Sequence, residues 1–386
     1  FLAAGVTVSL SMVCIYYALD RGKVSVVIPV SSTGPFFSLI LTALFLRDHD
    51  IVVDFVFGVR AHPFDAHCWL EWNGMVVHNV GIRSRGRASR SATKPGLSVD
   101  FNRYVSGQTF LGLKSVVLDN QWQDPSMMHE RLSMLVFQRM GIAAPREAYV
   151  RLYVGPDRQF LGVYAVVETI DRAFLLRTLQ ENDGHLYEYN NVDPYHFEDR
   201  DQDLRWFADR FEPKTHENES SWALYAPLKE LVQTVNIQDD GRMQDALPEY
   251  LNLQQVTTFL AVQNVLSQKD GLAGVFGMAN FFLYRYQTKR LFQFIPWDQD
   301  LALAGFSGNS PGAELDVRWP WSTDNPLLRR LLDDPAIAAR YEAILRDLAT
   351  GIFTRERLFA LLDPLEALAV APLGAERAAL ARRGER

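Results

Sequence analysis

Two aspartates at the end of an apolar segment have the spacing of a metal-binding pair. Asp298 and Asp300 lie two residues apart in FIPWDQD, directly after residues with strand character. Further upstream, Asp270 occupies a Lys-Asp-Gly turn, and Asn280 precedes the aromatic run FFLYR. Carboxylates and an Asn amide oxygen are hard ligands that suit Mg²⁺ held against phosphates. Together these residues indicate phosphoryl transfer.

A β-hairpin is predicted to position these side chains. The runs FFLYR and LFQFI flank the polar turn YQTKR, and the second run ends at the two aspartates. Trp297 is interpreted as a packing residue that fixes the backbone of Asp298. Structural alternatives exist for each polar residue. The aspartate pair could cap its own turn, Asn280 could satisfy the hairpin backbone, and Asp270 could belong to an ordinary Asp-Gly turn.

A short basic loop offers a second group of candidate ligands. The segment GIRSRGRASRSATK carries Arg83, Arg85 and Ser89 between two predicted strands. Arg side chains can hold phosphate oxygens bidentately, and Ser89 can donate a hydrogen bond from its hydroxyl or its backbone. One basic loop in an acidic chain is only a weak indication of nucleic-acid binding. We therefore predict phosphate contacts here and no nucleic-acid partner.

The composition argues against several other classes of protein. The chain has 386 residues, of which 48% are hydrophobic, and its net charge of −7 provides no general basic field for nucleic acid. Only two cysteines occur, far apart, so neither a disulfide framework nor CxxC zinc spacing is expected. His185, His196 and His216 are too far apart in the sequence to predict a zinc site. His129 has no visible partner and is assigned no role.

The chain is predicted to comprise three segments. Residues 1–50 are interpreted as two membrane-type helices, because FLAAGVTVSLSMVCIYYAL is uncharged and just long enough to span a bilayer. A buried hairpin of a globular domain is the alternative. Residues 51–80 are a short β fragment or linker, and residues 81–386 form one domain with a helical C-terminal part. The expected location is a membrane if residues 1–50 anchor the chain, and otherwise the cell envelope or the exterior.

Strand and helix patterns in the third segment predict an α+β domain. Strands are expected on both sides of the basic loop, and a hairpin is expected over residues 148–167. Helices are expected after Asp124, before the Asp270 turn and from Pro326 onward. The polar and aromatic residues 190–220 are predicted to form an ordered insertion loop.

Several phrases in this domain resemble the CotH family of atypical, spore-coat-type protein kinases. They are GIRSRGRASRSATKPGLSVDF, LDNQWQDPSMMHERLSMLVFQRM, FLGVYAVVETID, GHLYEY and FFLYR with FIPWDQD, in this order within residues 81–352. The resemblance implies a distant protein-kinase-like fold with a shortened N-terminal sheet. It also implies transfer of a phosphoryl group from ATP, with Mg²⁺ or Mn²⁺, to Ser or Thr of a protein substrate.

The resemblance implies a role for each acidic residue. Asp298 is the metal ligand that bridges the phosphates, Asp300 is the second carboxylate and Asn280 is the amide ligand. Asp270 accepts or orients the proton of the substrate hydroxyl, which requires hydrogen-bond reach of that group. The chain departs from the family pattern at Ala279, where an Asn is usual, so that one amide is lost.

The resemblance also implies a cation on the nucleotide. Lys94 would contact the phosphates, and Glu168 in VVETID would pair with it and hold the ammonium in place. An ordinary surface ion pair is the alternative. Arg87 stands where the family usually has Asn, which adds a positive charge to the loop.

Two further resemblances concern the first 80 residues. The segment ALDRGKVSVVIPVSSTGPFFSLILTALFLRDHD is similar to the last helix pair of EamA-type transporters. The segment GVRAHPFDAHCWLEWNGMVVHNV is similar to a fragment of the transglutaminase-like peptidases of lasso-peptide maturation, with His67 at the family's His but no upstream nucleophile. The alternatives to a kinase are a non-catalytic, adhesin-like binding module on the same fold and an inactive chimeric fragment.

Overall fold

Two β-sheets and the helices packed on them make up the part of the chain that the structure describes. Their mixture confirms the predicted α+β class. The two membrane-type helices predicted for residues 1–50 lie outside this part. The computed structural model describes residues 53–382 apart from 63–64, 73–74, 87–88, 125, 156, 275–276 and 304–324.

The larger sheet has eight strands. They are β1 (Val53–His62), β2 (Asp65–Trp72), β3 (Met75–His78), β4 (Gly81–Arg85), β5 (Gly96–Asp100), β6 (Ser115–Asp119), β7 (Glu147–Val154) and β8 (Gln159–Glu168). Their order across the sheet is β3-β2-β1-β7-β8-β6-β5-β4. β1 pairs with β7 in parallel, and the other neighbours are antiparallel. The predicted hairpin over residues 148–167 is the β7–β8 pair at the centre of this sheet.

The smaller sheet contains the hairpin that the sequence predicts. Its strands are β9 (His185–Tyr189), β10 (Phe211–Pro213), β11 (Phe281–Arg285) and β12 (Phe292–Pro296), in the order β10-β9-β11-β12. β11 and β12 form the hairpin, with Phe281 opposite Pro296 and Arg285 opposite Phe292. Most residues of both runs are apolar because both faces of the hairpin are largely buried.

Three hydrophobic cores pack against the faces of the two sheets. Phe282 and Ile295 of the smaller sheet pack in one core with Val163 of the larger sheet, so this core lies between the sheets. The other face of the hairpin packs against helices, and the outer face of the larger sheet has a third core around Phe101 and Phe110. The end of β12 is thereby fixed from both sides.

The described residues contain nine α-helices. They are α1 (His129–Arg139), α2 (Arg172–Leu179), α3 (Leu204–Arg210), α4 (Ser221–Val235), α5 (Asp240–Ala246), α6 (Leu253–Val265), α7 (Pro326–Asp333), α8 (Pro335–Thr350) and α9 (Arg355–Arg382). α6 is buried on nearly all sides, since it lies between α8 and the β11–β12 hairpin. Burial on nearly all sides is typical of a helix in a core position. It leads the chain directly to the Asp270 turn.

The segment 190–220 is more regular than predicted. It contains α3 and β10, so it is not an insertion loop throughout. The carboxylate of Asp203 caps α3 by accepting a hydrogen bond from the Trp206 N–H at 3.0 Å. Phe207 and Phe211 are fully buried, and their burial anchors the segment to the core.

Residues 53–78 form the strands β1, β2 and β3 of the larger sheet. The other five strands of that sheet come from residues 81 onward. Val53 lies opposite Val150 and Phe57 opposite Val154, and Phe55 is buried in the outer core. The boundary at residue 81 between a β fragment and a separate domain stays a prediction.

α9 is the described helix that is long and apolar enough to cross a membrane, over Arg355–Ala379. Here it packs on β8 and buries Leu365 and Ala369. Only its length and composition suggest a membrane-spanning helix. Helices in the core of a globular domain can have the same length and composition.

Candidate active site

The end of the β11–β12 hairpin brings Asn280, Asp270 and Asp298 together. The Trp297 N–H donates to the carbonyl oxygen of Asn280 at 3.1 Å. The side-chain amide of Asn280 donates to the Asp270 carboxylate at 3.0 Å and to the Asp270 carbonyl oxygen at 2.9 Å. Gln268 joins both sides, because it accepts from the Asp270 N–H at 3.2 Å and donates to the Asp298 carbonyl oxygen at 3.4 Å. The predicted hairpin therefore collects these side chains at one edge.

Two of these residues have a left-handed backbone. Asn280 has a φ of 54° and Asp298 a φ of 50°. Asn and Asp adopt this region more readily than other non-glycine residues. Backbone of this kind costs about 1–3 kcal/mol and clusters at functional sites. The hydrogen bonds of Gln268 and Trp297 hold both turns in place.

Asp298 and Asp300 form a carboxyl pair. Asp300 is buried, Asp298 is half-buried, and their side chains share a hydrogen bond. Such a bond requires a proton on one of the two carboxyl groups. Burial and a neighbouring aspartate raise the pKa of Asp298 to about 7 and the pKa of Asp300 to about 9. The pair thus retains a proton at a position where a cation would also be stabilised.

Asp119 is a site residue that the sequence analysis missed. After burial, its charge contributes most to the raised pKa of Asp298, and it also acts on Asp300. Its carboxylate accepts hydrogen bonds from the N–H and the side-chain amide of Gln121, at 2.7 and 3.1 Å. A signal was available, because Asp119 ends the buried strand SVVLD just as Asp298 follows β12.

Two buried glutamates lie near these aspartates. Burial is the main reason that the pKa of Glu130 is raised well above its ordinary value and the pKa of Glu147 to about 8. The charges of Asp119 and Asp298 contribute to both rises, and the charge of Arg131 opposes the rise at Glu147. Glu130 accepts a hydrogen bond from Gln121 at 3.1 Å. Neither carboxylate oxygen of Glu147 has a hydrogen-bond partner among the described residues. This region is therefore rich in acidic groups.

Arg85 is a cation that the structure brings to the aspartate pair. It ends β4, opposite Gly96 of β5. Its guanidinium lies over the ring of Trp297, 5.4 Å from the centroid. Burial raises the pKa of Asp298, and the charge of Arg85 opposes that rise. The start of the basic loop thus lies beside the carboxylates, as phosphate binding next to a metal would require.

The loop after β4 is fastened to the end of β6. Gly86 has a φ of 101°, and a Cβ there would lie 2.7 Å from the Ser89 hydroxyl oxygen. The amide of Asn120 donates to the carbonyl oxygens of Ser89 and Lys94, at 2.9 and 2.7 Å. Because Asn120 follows Asp119 directly, the loop containing Ser89 lies next to the acidic residues.

Lys94 is buried, and its partner is not the predicted one. Its ammonium lies 2.7 Å from a carboxylate oxygen of Glu376 in α9. The other oxygen of Glu376 accepts from the Val163 N–H at 3.0 Å. The ammonium also lies 5.4 Å from the centroid of the Tyr164 ring. The predicted pair of Lys94 with Glu168 is wrong, and Glu376 was missed because it comes from the far end of the chain.

The register of the larger sheet explains this correction. Glu168 lies opposite Val116 of β6, which lies opposite Val99 of β5. Lys94 precedes Val99 by five residues. At about 3.3 Å per residue, this displacement is roughly 16 Å along the strands. Lys94 therefore reaches Val163 in the middle of β8, while Glu168 lies at its end.

Glu168 instead closes a buried ion-pair network. It is 2.9 Å from a guanidinium nitrogen of Arg146 and 2.5 Å from one of Arg177. It also accepts from the Arg146 N–H at 3.1 Å. These contacts join the end of β8 to α2, which is a structural role.

Arg83 and His129 also differ from their expected surroundings. Arg83 is exposed, and its charge acts on Glu212 rather than on the aspartate pair. His129 has partners after all, since its Nδ1 lies 3.2 Å from the Asp300 carbonyl oxygen and 3.6 Å from the Asp124 carboxylate. His129 thus helps to hold the turn that carries Asp300.

The oxygen donors at this edge fit a hard divalent cation. Asp119, Asp298 and Asp300 supply carboxylates, and burial together with the neighbouring aspartate charges raises the pKa of the last two. The amide nitrogen of Asn280 is used by Asp270, so its oxygen is the atom that can ligate a metal. Mg²⁺ and Mn²⁺ prefer such oxygen ligands, and metal binding would displace the shared proton.

Comparisons with known proteins show what this chain is similar to. The family model described as CotH kinase protein matches residues 82–381. The model of the transglutaminase-like superfamily matches residues 39–88, which overlap the segment 51–80. The chain is 23% identical over 304 residues to the inner spore coat protein H of Bacillus subtilis (strain 168), an alignment that covers 74% of this chain and 79% of that protein.

Proposed function

This chain belongs to the CotH kinase protein family, as its motifs predict, and we propose that it transfers the γ-phosphoryl group of ATP to a Ser or Thr hydroxyl of a protein. The observation that carries the proposal is the cluster of Asp119, Asp298 and Asp300 at strand ends, in which the charge of Asp119 acts on both of the other carboxyl groups. Phosphoryl transfer needs a metal clamp, cations on the phosphates and an oriented acceptor. The site offers a candidate for each.

The acidic residues at the ends of the strands are proposed to bind the metal. A bound Mg²⁺ or Mn²⁺ would neutralise the charge that develops on the transferred group. Asp298 and Asp300 would hold it with their carboxylates, and Asn280 would add its amide oxygen. Asp119 lies close enough to raise the pKa of Asp298 and would stabilise the same cation.

The phosphate role falls to the loop after β4 and to Lys94. Arg85 lies beside Asp298, where it would hold phosphate oxygens next to the metal. Ser89 and the turn at Gly86 would add donors from the same loop. Glu376 takes over the task predicted for Glu168, because it fixes the ammonium of Lys94 between turnovers.

Asp270 is the proposed residue for the acceptor hydroxyl. Burial raises its pKa, and the hydrogen bond from Asn280 opposes that rise. A carboxylate whose pKa is raised is a stronger proton acceptor. Its bond to Asn280 links it to the same edge as Asp298, so that acceptor and phosphate would meet there.

The surroundings of the activity are part of the proposal. The relative in Bacillus subtilis is named an inner spore coat protein. We place this chain in a coat or cell envelope by analogy, with association with a membrane if residues 1–50 anchor it.

Transfer can be tested directly with γ-labelled ATP and a Ser/Thr-containing acceptor protein. We expect Mg²⁺-dependent phosphoserine or phosphothreonine, identified by mass spectrometry. Asp298→Asn should lower the rate by roughly 10²-fold or more, the scale for removing one electrostatic stabiliser of a transition state. Asp209→Asn changes an exposed aspartate of α3 and is the matched control. Equal rates in the two variants would contradict the proposal, and ATP binding without transfer would favour a non-catalytic binding module.

A further inference from the structure

His185, His216 and Glu219 meet outside the site described above. Their potential ligand atoms all lie within 4.8 Å of one another. His185 Nε2 lies 2.9 Å from one carboxylate oxygen of Glu219, and His216 Nδ1 lies 2.9 Å from the other. The two imidazole rings stack with centroids 4.6 Å apart. The sequence spacing predicted no zinc site because β9 and the turn before α4 come together only in the fold.

This cluster is separate from the aspartate site. His185 begins β9 and lies opposite Arg285, the last residue of β11. Asn280 precedes the first residue of β11, five positions away from Arg285. At about 3.4 Å per residue, the two ends of this strand are roughly 17 Å apart.

Hydrogen bonds hold the two segments that carry the cluster. The Thr215 hydroxyl donates to the Gly184 carbonyl oxygen at 2.8 Å and accepts from the Leu186 N–H at 2.9 Å. The Glu219 N–H donates to the carbonyl oxygen of His216 at 2.9 Å, which closes the turn. The three side chains are therefore positioned by the backbone before any ligand arrives.

The proton positions at His216 point to a cation. Its Nε2 lies 2.7 Å from the carbonyl oxygen of Asp183, which can only accept, so this nitrogen carries a proton. In a neutral ring, Nδ1 then presents a lone pair to the Glu219 carboxylate, and two acceptors face each other. Either a second proton or a metal ion must lie between them. An imidazole that donates its other N–H to a backbone carbonyl is the usual orientation of a metal ligand.

His185 is suited to the same ion. Burial lowers its pKa, which favours the neutral form that binds metals. Its Nδ1 is buried without a hydrogen-bond partner in the part of the chain that the structure describes, and its Nε2 faces the Glu219 carboxylate. The positive charge of Arg285, which lies near His185, also lowers the pKa of that histidine. The carboxylate of Glu219 offsets it.

We propose that His185, His216 and Glu219 bind a divalent transition-metal ion of the Zn²⁺ type, with a fourth position left for water. Two imidazoles and one carboxylate are a familiar zinc ligand set, and imidazole disfavours Mg²⁺. Bonds of about 2.0–2.1 Å at tetrahedral angles separate the donor atoms by about 3.4 Å. Small side-chain movements satisfy this geometry. The ion would tie the start of β9 to the turn before α4.

The test uses the full chain, freed of metal by chelation and kept in excess Mg²⁺ so that the carboxylate site is occupied. Zn²⁺ is titrated calorimetrically, and Co²⁺ is titrated as a spectroscopic probe. Glu219→Gln and His216→Ala should raise the Zn²⁺ Kd at least ~10-fold, since even an outer-shell partner is worth that much. Both should also lose the absorption bands of four-coordinate Co²⁺. His78→Ala removes an exposed histidine and should leave both readouts unchanged.

Equal Zn²⁺ affinity in the wild type and in both folded variants would overturn the proposal. Glu219 is exposed, so Glu219→Gln keeps the fold, which circular dichroism checks. That substitution leaves every histidine in place, so a loss of affinity in it assigns the ion to this cluster. The proposal does not depend on kinase activity, and failure of phosphoryl transfer leaves it standing.

Discussion

Asp298 and Asp300 share a proton because both carboxyl groups are at least partly withdrawn from water and lie near Asp119. The charge of Arg85 opposes the rise in the pKa of Asp298. A divalent cation at this edge would replace the proton and relieve the repulsion among the three acids. At the scale of residues, the candidate site is thus a region where the folded chain retains protons that an unfolded chain would lose.

This retention predicts how stability depends on pH. The pKa values of about 7 and about 9 in the folded chain exceed the ordinary Asp value of about 3.9. The native state therefore binds more protons than the unfolded state above pH ~4, and this contribution is lost as pH rises towards ~9. We expect the unfolding temperature of chelated protein to fall over this range, less so in Asp298→Asn, and Mg²⁺ to reduce the fall. Identical pH profiles with and without Mg²⁺ would contradict this.

Glu168 provides a second prediction at this scale. Glu168→Gln leaves Arg146 and Arg177 without their buried counter-charge. We expect a loss of about 3 kcal/mol in the free energy of unfolding, the low end for a broken buried pair because Arg177 is partly exposed. Asp54→Asn, which breaks an exposed pair with Arg151, should cost less than about 1 kcal/mol. Denaturant unfolding measures both, and equal losses would refute the structural role.

At the scale of elements, local pattern was enough to predict the hairpin and the helix before Asp270. The runs around YQTKR are apolar and end at a polar turn, and the structure has β11 and β12 there. The partner of Lys94 could not be predicted in this way. It depends on the register of β5, β6 and β8 and on a helix that joins from the end of the chain.

The loop after β4 is tested by glycine substitution. Gly86→Ala places a Cβ 2.7 Å from the Ser89 hydroxyl oxygen at a φ of 101°. We expect it to distort the loop and weaken ATP binding. Gly107→Ala is the matched control, because it has a φ of 80° but nothing within 4 Å of the added Cβ. Both variants should lose some stability, about 1–2 kcal/mol from left-handed backbone. Equal ATP affinity in the two would remove this loop from the nucleotide site.

At the scale of the whole molecule, the larger sheet, the hairpin and α9 converge on one region. Fold class and family were evident from the sequence. The order of the strands was not, because the parallel pairing of β1 with β7 joins segments that no local pattern connects. The C-terminal helix was predicted as a helix, but its contact with Lys94 through Glu376 emerges only from the assembled fold.

This long-range contact carries its own prediction. Glu376→Gln keeps the size of the side chain but removes the charge that holds Lys94. We expect weaker ATP binding, because the ammonium loses its fixed position, together with a lower unfolding temperature. Glu366→Gln changes another carboxylate of the same helix that is exposed and should leave both unchanged. ATP titration and thermal unfolding measure the two effects, and unaltered ATP affinity in Glu376→Gln would separate Lys94 from the nucleotide.

The most direct measurement of the central claim is the thermal stabilisation of the chain by ATP, with Mg²⁺ and with chelator, in the wild type and in Asp298→Asn. We expect stabilisation of about 2.7 kcal/mol when ATP is at ~100 times its Kd. This stabilisation should require Mg²⁺ and should be largely lost in Asp298→Asn. Stabilisation that is independent of the metal and of Asp298, or none at all in folded wild type, would contradict an ATP-and-metal site at the end of the hairpin.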